Sequence, residues 1–423
     1  MSIRAAILVT GTEVISGRTR DRNGPWVSER LGELGVEVAH IVTVADRPSD
    51  MTSALGFFAG DGIDLIVTSG GLGPTADDLT AEVVGGFTGR EMYLDEEMEA
   101  KIAKIVASFA RRLGFDPDAS RLANRKQAVA PRGAELLDPV GTAPGLVVPG
   151  DGVVIIVLPG PPRELQAMWP AALETGEVKA LLARAEDFVT ATMRLYGVPE
   201  SALAQSLREI EQATDLSPLE ITTCSRGFEL VIDIRHVGEQ ALVTELERGL
   251  RGLHDNSLFS TDGSSVDDQI AALLRGRRIG LGESCTGGLV AGRLTARAGA
   301  SEYVAGGVVA YSNAAKTDLL GVAPELIAEH GAVSPQVAEA MSRGAMSRLD
   351  ADVGLAVTGI AGPGGGTEEK PVGYVCFCAL DASGATLARA LTLPGSRSDI
   401  RERSVVVALH MLRLMLSGEK SPL

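Results

Sequence analysis

Short apolar runs alternate with amphipathic stretches along most of this chain. AAILVTG (5–11), VEVAHIVTV (36–44) and IDLIVTSGG (63–71) have the unbroken or period-two apolar character of strands. Stretches near 24–34 and 48–59, and a longer one near 95–113, carry apolar residues at helical spacing. GLVVPG (145–150) and GVVIIVLPG (152–160) add strands, and PPRELQAMWPAAL (161–173) reads as a helix opened by prolines, whose fixed φ suits a first turn. The rhythm predicts a doubly wound α/β domain over 1–172, with a mostly parallel sheet and ligands at the carboxyl ends of its strands.

The pattern changes at about 188. TATMRLYGV, ESALAQSLREIEQA, FELVIDIRHV and ALVTELERGLRGL read as strand, helix, strand, helix, a small α+β module over 188–258. SLFSTDGSS (257–265) reads as a connector. A last α/β domain, 262–418, opens with the helix VDDQIAALLRG, returns to the β-α rhythm and closes with a helix near 398–416. The length of 423 residues agrees with two or three domains, each able to bury its own core.

Charge and composition narrow the function. A formal net charge of -16 repels nucleic-acid backbones, and the longest basic cluster is RGRR (275–278), so nucleic-acid binding is not expected. The four cysteines, Cys224, Cys285, Cys376 and Cys378, form no C-x-x-C pair and no disulfide framework. Cys376 and Cys378, two apart on a strand, share one face and are read as core. The start MSIRAAILVTG lacks the features of a signal peptide and no apolar run reaches membrane-spanning length, so a cytoplasmic protein without membrane contact is expected.

Two constellations carry candidate chemistry. In SGGLGPTADDLT (69–80), Gly70, Gly71 and Gly73 allow a sharp turn with free amides for an anion, and Asp77 and Asp78 stand where a helix begins. Those carboxylates either cap the helix or hold a hard cation that bridges phosphate oxygens. NRKQA (124–128) brings Arg125 and Lys126, while GTAPG (141–145) and PGPPRE (159–164) supply further small-residue turns, the second with Glu164. Glu13 and Asn23 of GTEVISGRTRDRN fall on the same sheet edge. Converging turns of this kind predict a phosphate or nucleotide pocket.

The second constellation comprises GESCTGG (282–288), AYSNAAK (310–316), AVTGIAGPGGG (356–366), KPVGYV (370–375) and PGSRSDIR (394–401). Ser284 and Cys285 are rival nucleophiles. None of the five histidines lies in or next to these segments, so a Ser-His-Asp triad has no base. A lysine whose pKa is depressed by burial can replace it, and Lys316, with Tyr311 as a proton relay, is the candidate.

GTE…N, SGGLGPTADDLT, NRKQA, GTAPG and PGPPRE, in that order, are similar to the amino-terminal, molybdopterin-binding-like (MogA-like) domain of the CinA family of competence/damage-inducible proteins. ESCTGG, YSN..K, VTGIAGPGGG and KPVG are similar to that family's carboxy-terminal domain, a deamidase of nicotinamide mononucleotide (NMN). The resemblance spans essentially the whole chain. For the first domain it implies ADP-ribose pyrophosphatase activity dependent on a divalent metal (Mg, Mn or Co), giving AMP and ribose 5-phosphate. Asp77 or Asp78 together with Glu164 are the candidate ligands, and Gly70, Gly71, Asn23 and Lys126 the candidate substrate contacts.

For the last domain the resemblance implies no cofactor, a serine nucleophile at Ser284, and partners at Tyr311, Lys316 and Thr358. The amides of Thr286, Gly287 and Gly288 are expected to bind the oxyanion, and Gly364 and Gly365 with Arg397 or Arg401 to hold the ribose phosphate. Ser396 stands before Arg397 where the family pattern has an acid. The middle module resembles the family's KH-type domain, yet TTCSRGFEL lacks the G-x-x-G loop that clamps nucleotides. A homodimer is implied by the family. Three readings follow: a two-site enzyme of pyridine-nucleotide salvage, a deamidase whose first domain only binds nucleotide or pterin, and a non-enzymatic interaction protein of competence. The Ser-Tyr-Lys-Thr set argues against the third.

Overall fold

The computed structural model describes residues 3–113, 125–185, 188–226 and 228–419. They form two compact units that divide between Phe188 and Val189.

The first unit is built on a six-stranded sheet. Its strands are β1 (Ile3–Thr10), β2 (Val36–Val44) and β3 (Leu65–Ser69), then, beyond a separate antiparallel pair of β4 (Met92–Leu94) with β5 (Val129–Pro131), β6 (Glu135–Leu137), β7 (Gly145–Pro149) and β8 (Val154–Leu158). The order is β2-β1-β3-β8-β7-β6. β2, β1, β3 and β8 run parallel, while β7 and β6 are antiparallel additions. Because the sheet is covered on both sides, the central strands carry unbroken apolar runs, Ala5–Val9 in β1, Leu65–Val67 in β3 and all of β8. Ala5, Ile7 and Val9 face one core and Ala6 and Leu8 the other. The helices Asn23–Glu33, Pro48–Gly60 and Pro162–Leu173 lie where periodicity places them, the last with Pro162 in its first turn. The helix Gly176–Leu182, which has too few turns to show a period, adds Val178 and Leu181 to the first core.

The second unit begins with a four-stranded antiparallel sheet, β9 (Val189–Tyr196), β10 (Glu220–Arg226), β11 (Glu229–His236) and β12 (Leu258–Ser260), in the order β10-β11-β9-β12. β10 is absent from the sequence reading because, as an edge strand, it packs Ile221 on the core and leaves Thr222 to Ser225 exposed. β12 occupies part of the segment read as a connector, pairing with β9 through Leu258 and Ser260.

A five-stranded sheet follows: β13 (Ile279–Glu283), β14 (Val304–Val309), β15 (Val353–Gly359), β16 (Tyr374–Asp381) and β17 (Thr386–Thr392), ordered β14-β13-β15-β16-β17. β14, β13 and β15 are parallel; β16 and β17 are antiparallel. The helix Pro335–Arg348 presses on β13, where a Cβ at Gly280 would stand 2.7 Å from the Ala345 carbonyl oxygen. On that face Cys376 and Cys378 are buried together, as their spacing predicts. The helix Arg397–Ser417 covers the other face. Among the described residues no helix is long and apolar enough to cross a membrane.

Tyr196 and Phe259 of the antiparallel module belong to the same core as this last helix. The His410 ring stacks on Tyr196 at 3.8 Å between centroids and meets Phe259 edge-on. Its Nε2 lies 2.6 Å from Glu229 Oε1. Enclosure holds the ring neutral, with its pKa below the usual histidine value; Glu229 opposes this, and the Arg413 and Arg293 guanidiniums add to it. The unfolded chain therefore takes up this proton first on acidification. The contribution to stability is complete above about pH 6.5 and declines below it. Between pH 7.5 and pH 5.5 the thermal midpoint of the wild type is expected to fall more than that of His410→Gln, measured by calorimetry; parallel declines would contradict a neutral, buried ring.

Candidate active site

β13 is apolar and glycine-rich up to Gly282, then ends in a buried acid, and the chain turns sharply at Ser284. The Ser284 N–H donates to the Val357 carbonyl of β15 at 2.9 Å, which continues the β13–β15 register and sets Ser284 beside Thr358. Gly287 and Gly288 take left-handed φ values of 59° and 94°, which a side chain would strain, and the helix Leu289–Thr295 begins there. Lys316 reaches the same place from the helix Asn313–Leu320, whose amino terminus is capped by Ser312.

Lys316 Nζ lies 3.0 Å from Ser284 Oγ, 2.9 Å from the Ala310 carbonyl oxygen and 3.5 Å from that of Tyr311. The lysine is 2% exposed. No carboxylate pairs with it among the described residues, and burial moves its pKa down from the ordinary lysine value. A neutral amine has two hydrogens and one lone pair. Lys316 Nζ donates to all three oxygens; on loss of its proton, two hydrogens suffice for the two carbonyls and a lone pair becomes free for the Ser284 hydroxyl. Cys285 is also buried, and burial pushes its thiol up to about 12, so it carries negligible thiolate near neutrality.

Several expected contacts take a different form. Tyr311 is 59% exposed, and its hydroxyl accepts a 2.9 Å hydrogen bond from Arg397 instead of joining the lysine. A helix start at Asn313 turns the Tyr311 side chain outward while its carbonyl faces Lys316, so the relay role is not supported. Thr358 is buried, and its hydroxyl donates to the Ala332 carbonyl at 2.9 Å. Of the three amides expected to bind an oxyanion, Gly287 N–H donates to the Ser284 carbonyl and Gly288 N–H to the Glu283 carboxylate. The N–H groups of Cys285 and Thr286 face the Cys285 sulfur and donate to no oxygen among the described residues. The Thr286 hydroxyl is buried without a partner there.

Arg397 also donates to the Gly362 carbonyl at 2.6 Å, tying the glycine loop to the final helix. Gly364 and Gly365 lie on the exposed part of that loop, with open space where a side chain at Gly364 would stand. Arg401 does not reach outward as a phosphate fork. Its Nε donates to the Cys285 carbonyl at 3.0 Å and its Nη2 to the Thr286 carbonyl at 2.9 Å.

In the first unit, Gly70 and Gly71 hold φ values of 107° and 67° after β3, and a Cβ at Gly71 would fall 2.1 Å from Thr80 Oγ1. Asn23 is buried and ties strand ends together, donating to Ser69 Oγ at 2.8 Å and to the Gly160 carbonyl at 2.7 Å. It therefore acts on the loops that frame the edge. A cleft of about 390 Å³ is lined in part by Gly71, Gly73, Asp78 and Lys126. Thr75 Oγ1 lies 2.5 Å from both Asp77 Oδ1 and Asp78 Oδ2, and Lys126 donates to the Thr75 carbonyl. Asp78 Oδ2 also accepts from the Thr75 N–H at 2.9 Å, which closes a tight turn between these residues. The Thr75 hydrogen bond and, less strongly, Lys126 lower the Asp77 pKa.

Glu164 stands apart: its carboxylate packs against Gly141, and partial burial raises its pKa. Among the described residues no three His, Cys, Asp or Glu side chains are grouped to hold a metal ion. Asp77, Asp78 and Glu164, the expected ligands, are therefore not gathered into one group of three. Asn124 of NRKQA lies outside the described residues.

Residues 264–416 match the CinA C-terminal domain and residues 6–176 match a probable molybdopterin binding domain. A CinA-like protein of Mycolicibacterium vanbaalenii is 58% identical, covering 99% of this chain and 100% of its own length. One from Mycobacterium tuberculosis is 55% identical over 99% of this chain and 98% of its own. A solved competence/damage inducible protein from Agrobacterium tumefaciens is 40% identical, covers 37% of this chain and 99% of its own, and gives a TM-score of 0.35. The chain belongs to the CinA-like family.

In this CinA-like chain the residue that sequence reasoning passed over is Glu283. It is buried, and its carboxylate accepts from Gly288 N at 2.9 Å, Val290 N at 3.2 Å and Ala291 N at 2.8 Å. An acid closing an apolar strand five residues before a helix start is the available signal, because a buried carboxylate needs donors and a helix amino terminus offers them. The local chemistry yields a direct expectation. A serine-directed acylating or phosphonylating probe should label the wild type and Cys285→Ala at Ser284 and leave Ser284→Ala unlabelled, read by peptide mass spectrometry. Labelling that follows Cys285 would reverse the assignment.

Proposed function

We propose that the second unit is an amidohydrolase acting on the carboxamide of NMN, and that the first hydrolyses the pyrophosphate of ADP-ribose. The observation that carries the first part is the 3.0 Å approach of a buried, unpaired lysine amine to the Ser284 hydroxyl. The substrate class is the one implied by the resemblance of the ESCTGG, YSN..K, VTGIAGPGGG and KPVG motifs.

In the proposed reaction, Ser284 passes its proton to Lys316 as Oγ forms a bond to the carboxamide carbon. The negative oxygen that results is stabilised by the N–H groups of Cys285 and Thr286, the loop amides not committed to an oxygen. The C–N bond then breaks, Lys316 returns the proton to the leaving nitrogen, and ammonia departs. Water, losing its proton to Lys316, attacks the acyl carbon. Oγ leaves with that proton, so one water is consumed and nicotinate mononucleotide is released. Thr358 supports the floor of the site through Ala332, and Arg397 with Tyr311 forms part of its rim.

For the first unit, Asp77 and Asp78 are the residues proposed to hold a divalent cation. Two carboxylates suffice for an ion that keeps waters and arrives with substrate phosphates, and such an ion would neutralise charge on the pyrophosphate. The loop at Gly70 and Gly71 would accept the phosphate backbone closely, and Lys126 adds positive charge beside it. The lack of a third grouped ligand favours one second reading, in which this unit binds a nucleotide without cleaving it.

Incubation with NMN is expected to release ammonia and nicotinate mononucleotide in equal amounts, unaffected by a chelator. Incubation with ADP-ribose is expected to give AMP and ribose 5-phosphate only when divalent metal is present. Deamidation without AMP release would favour the second reading, and no ammonia from NMN would overturn the deamidase.

A further inference from the structure

The turn that presents Ser284 is gripped from two sides by side chains of opposite charge. On one side, Glu283 accepts three N–H groups from the start of the helix Leu289–Thr295. On the other, Arg401 donates to two successive carbonyls, those of Cys285 and Thr286. Between these anchors the backbone of the turn is tied by Ser284 N–H to the Val357 carbonyl at 2.9 Å, Gly287 N–H to the Ser284 carbonyl at 3.1 Å and Leu289 N–H to the Thr286 carbonyl at 3.3 Å, with two glycines in the left-handed region.

Glu283 bears on the nucleophile's partner as well. Glu283 is the last residue of β13, and its carbonyl accepts from Ala310 N–H at 2.8 Å, while the Ala310 carbonyl accepts from Lys316 Nζ at 2.9 Å. Glu283 thus fixes the helix start through its side chain and the lysine's carbonyl acceptor through its backbone. Arg401 pulls the Cys285 and Thr286 carbonyls toward the final helix. Their peptide planes are thereby held, and with them the Thr286 N–H, which shares its plane with the Cys285 carbonyl.

We infer that Glu283 and Arg401 are paired positioning residues that lock the 284–288 turn in the geometry needed for attack, and that Arg401 is committed to this task rather than to substrate phosphate. The inference rests on the deamidase reading for its kinetic consequence but not for its structural one. A carboxylate is needed at 283 because two amide donors share one oxygen and a third meets the other; glutamine would set an N–H₂ group against at least one of these donors. Lysine at 401 keeps the charge yet cannot reach two carbonyls with a planar fork.

The test uses the full chain and the variants Glu283→Gln, Arg401→Lys and Arg401→Gln. Hydrogen–deuterium exchange read by mass spectrometry is expected to show faster exchange confined to peptides spanning 284–292 in each variant, with the rest of the second unit unchanged. In NMN turnover, kcat is expected to fall about 10- to 100-fold, the scale of a small misplacement of reacting groups, while KM changes by less than about 3-fold. Arg401→Lys should recover part of the loss seen in Arg401→Gln. A rise in KM with kcat kept in the Arg401 variants would make Arg401 a phosphate ligand and overturn the inference. Unchanged exchange in the turn would do the same, including in a protein that releases no ammonia from NMN. Should Glu283→Gln fail to fold, Arg401→Lys alone decides the question.

Discussion

A lysine amine enclosed by the fold without a carboxylate to hold its charge is the constraint on which the rest of the second unit turns. Burying a lone ammonium costs more than losing its proton, so the group is driven toward the neutral form. Its Nζ donates to the Ala310 and Tyr311 carbonyls and lies 3.0 Å from Ser284 Oγ. The same burial acts in the opposite sense on Cys285, whose anionic form is disfavoured. One environment thereby favours the neutral form of both the Lys316 amine and the Cys285 thiol.

That environment depends on parallel-sheet architecture. β13 lies between β14 and β15 and is buried throughout, so its carboxyl end delivers Ser284 to a fixed point beside Thr358. The close approach of the helix Pro335–Arg348 at Gly280 completes the dry wall under the site. In the first unit the same principle operates with different chemistry. The ends of β3 and β8 are tied by Asn23, and the loop after β3 offers backbone and acids where the second unit offers a hydroxyl and an amine.

The features legible in the sequence are those set by local pattern. Continuous apolar runs show the central strands, and the two-residue spacing of Cys376 and Cys378 shows their common buried face. The polar edge strand β10 escapes because three of its neighbours' signals, apolarity, alternation and burial, are absent from Thr222 to Ser225. Motif positions show that Ser284 and Lys316 belong to one site, but spacing alone says nothing of where a side chain points. Tyr311 turns outward to Arg397, Arg401 turns inward to two carbonyls, and Glu283 takes over the amide of Gly288. Each of these depends on contacts between residues far apart in the chain. Glu164 fails to join Asp77 and Asp78 for the same reason: its loop is near in sequence pattern but its carboxylate settles against Gly141.

The protonation state of Lys316 is the point at which this account is most exposed. Protein labelled with ¹³C at the lysine ε-carbon, with Lys316 assigned by the resonance lost in Lys316→Met, allows that one amine to be titrated by NMR. The account predicts a midpoint well below the ordinary lysine value of about 10.4, with the other lysines near or above it. A Lys316 resonance that titrates with the rest would mean a charged amine beside Ser284, unable to accept its proton.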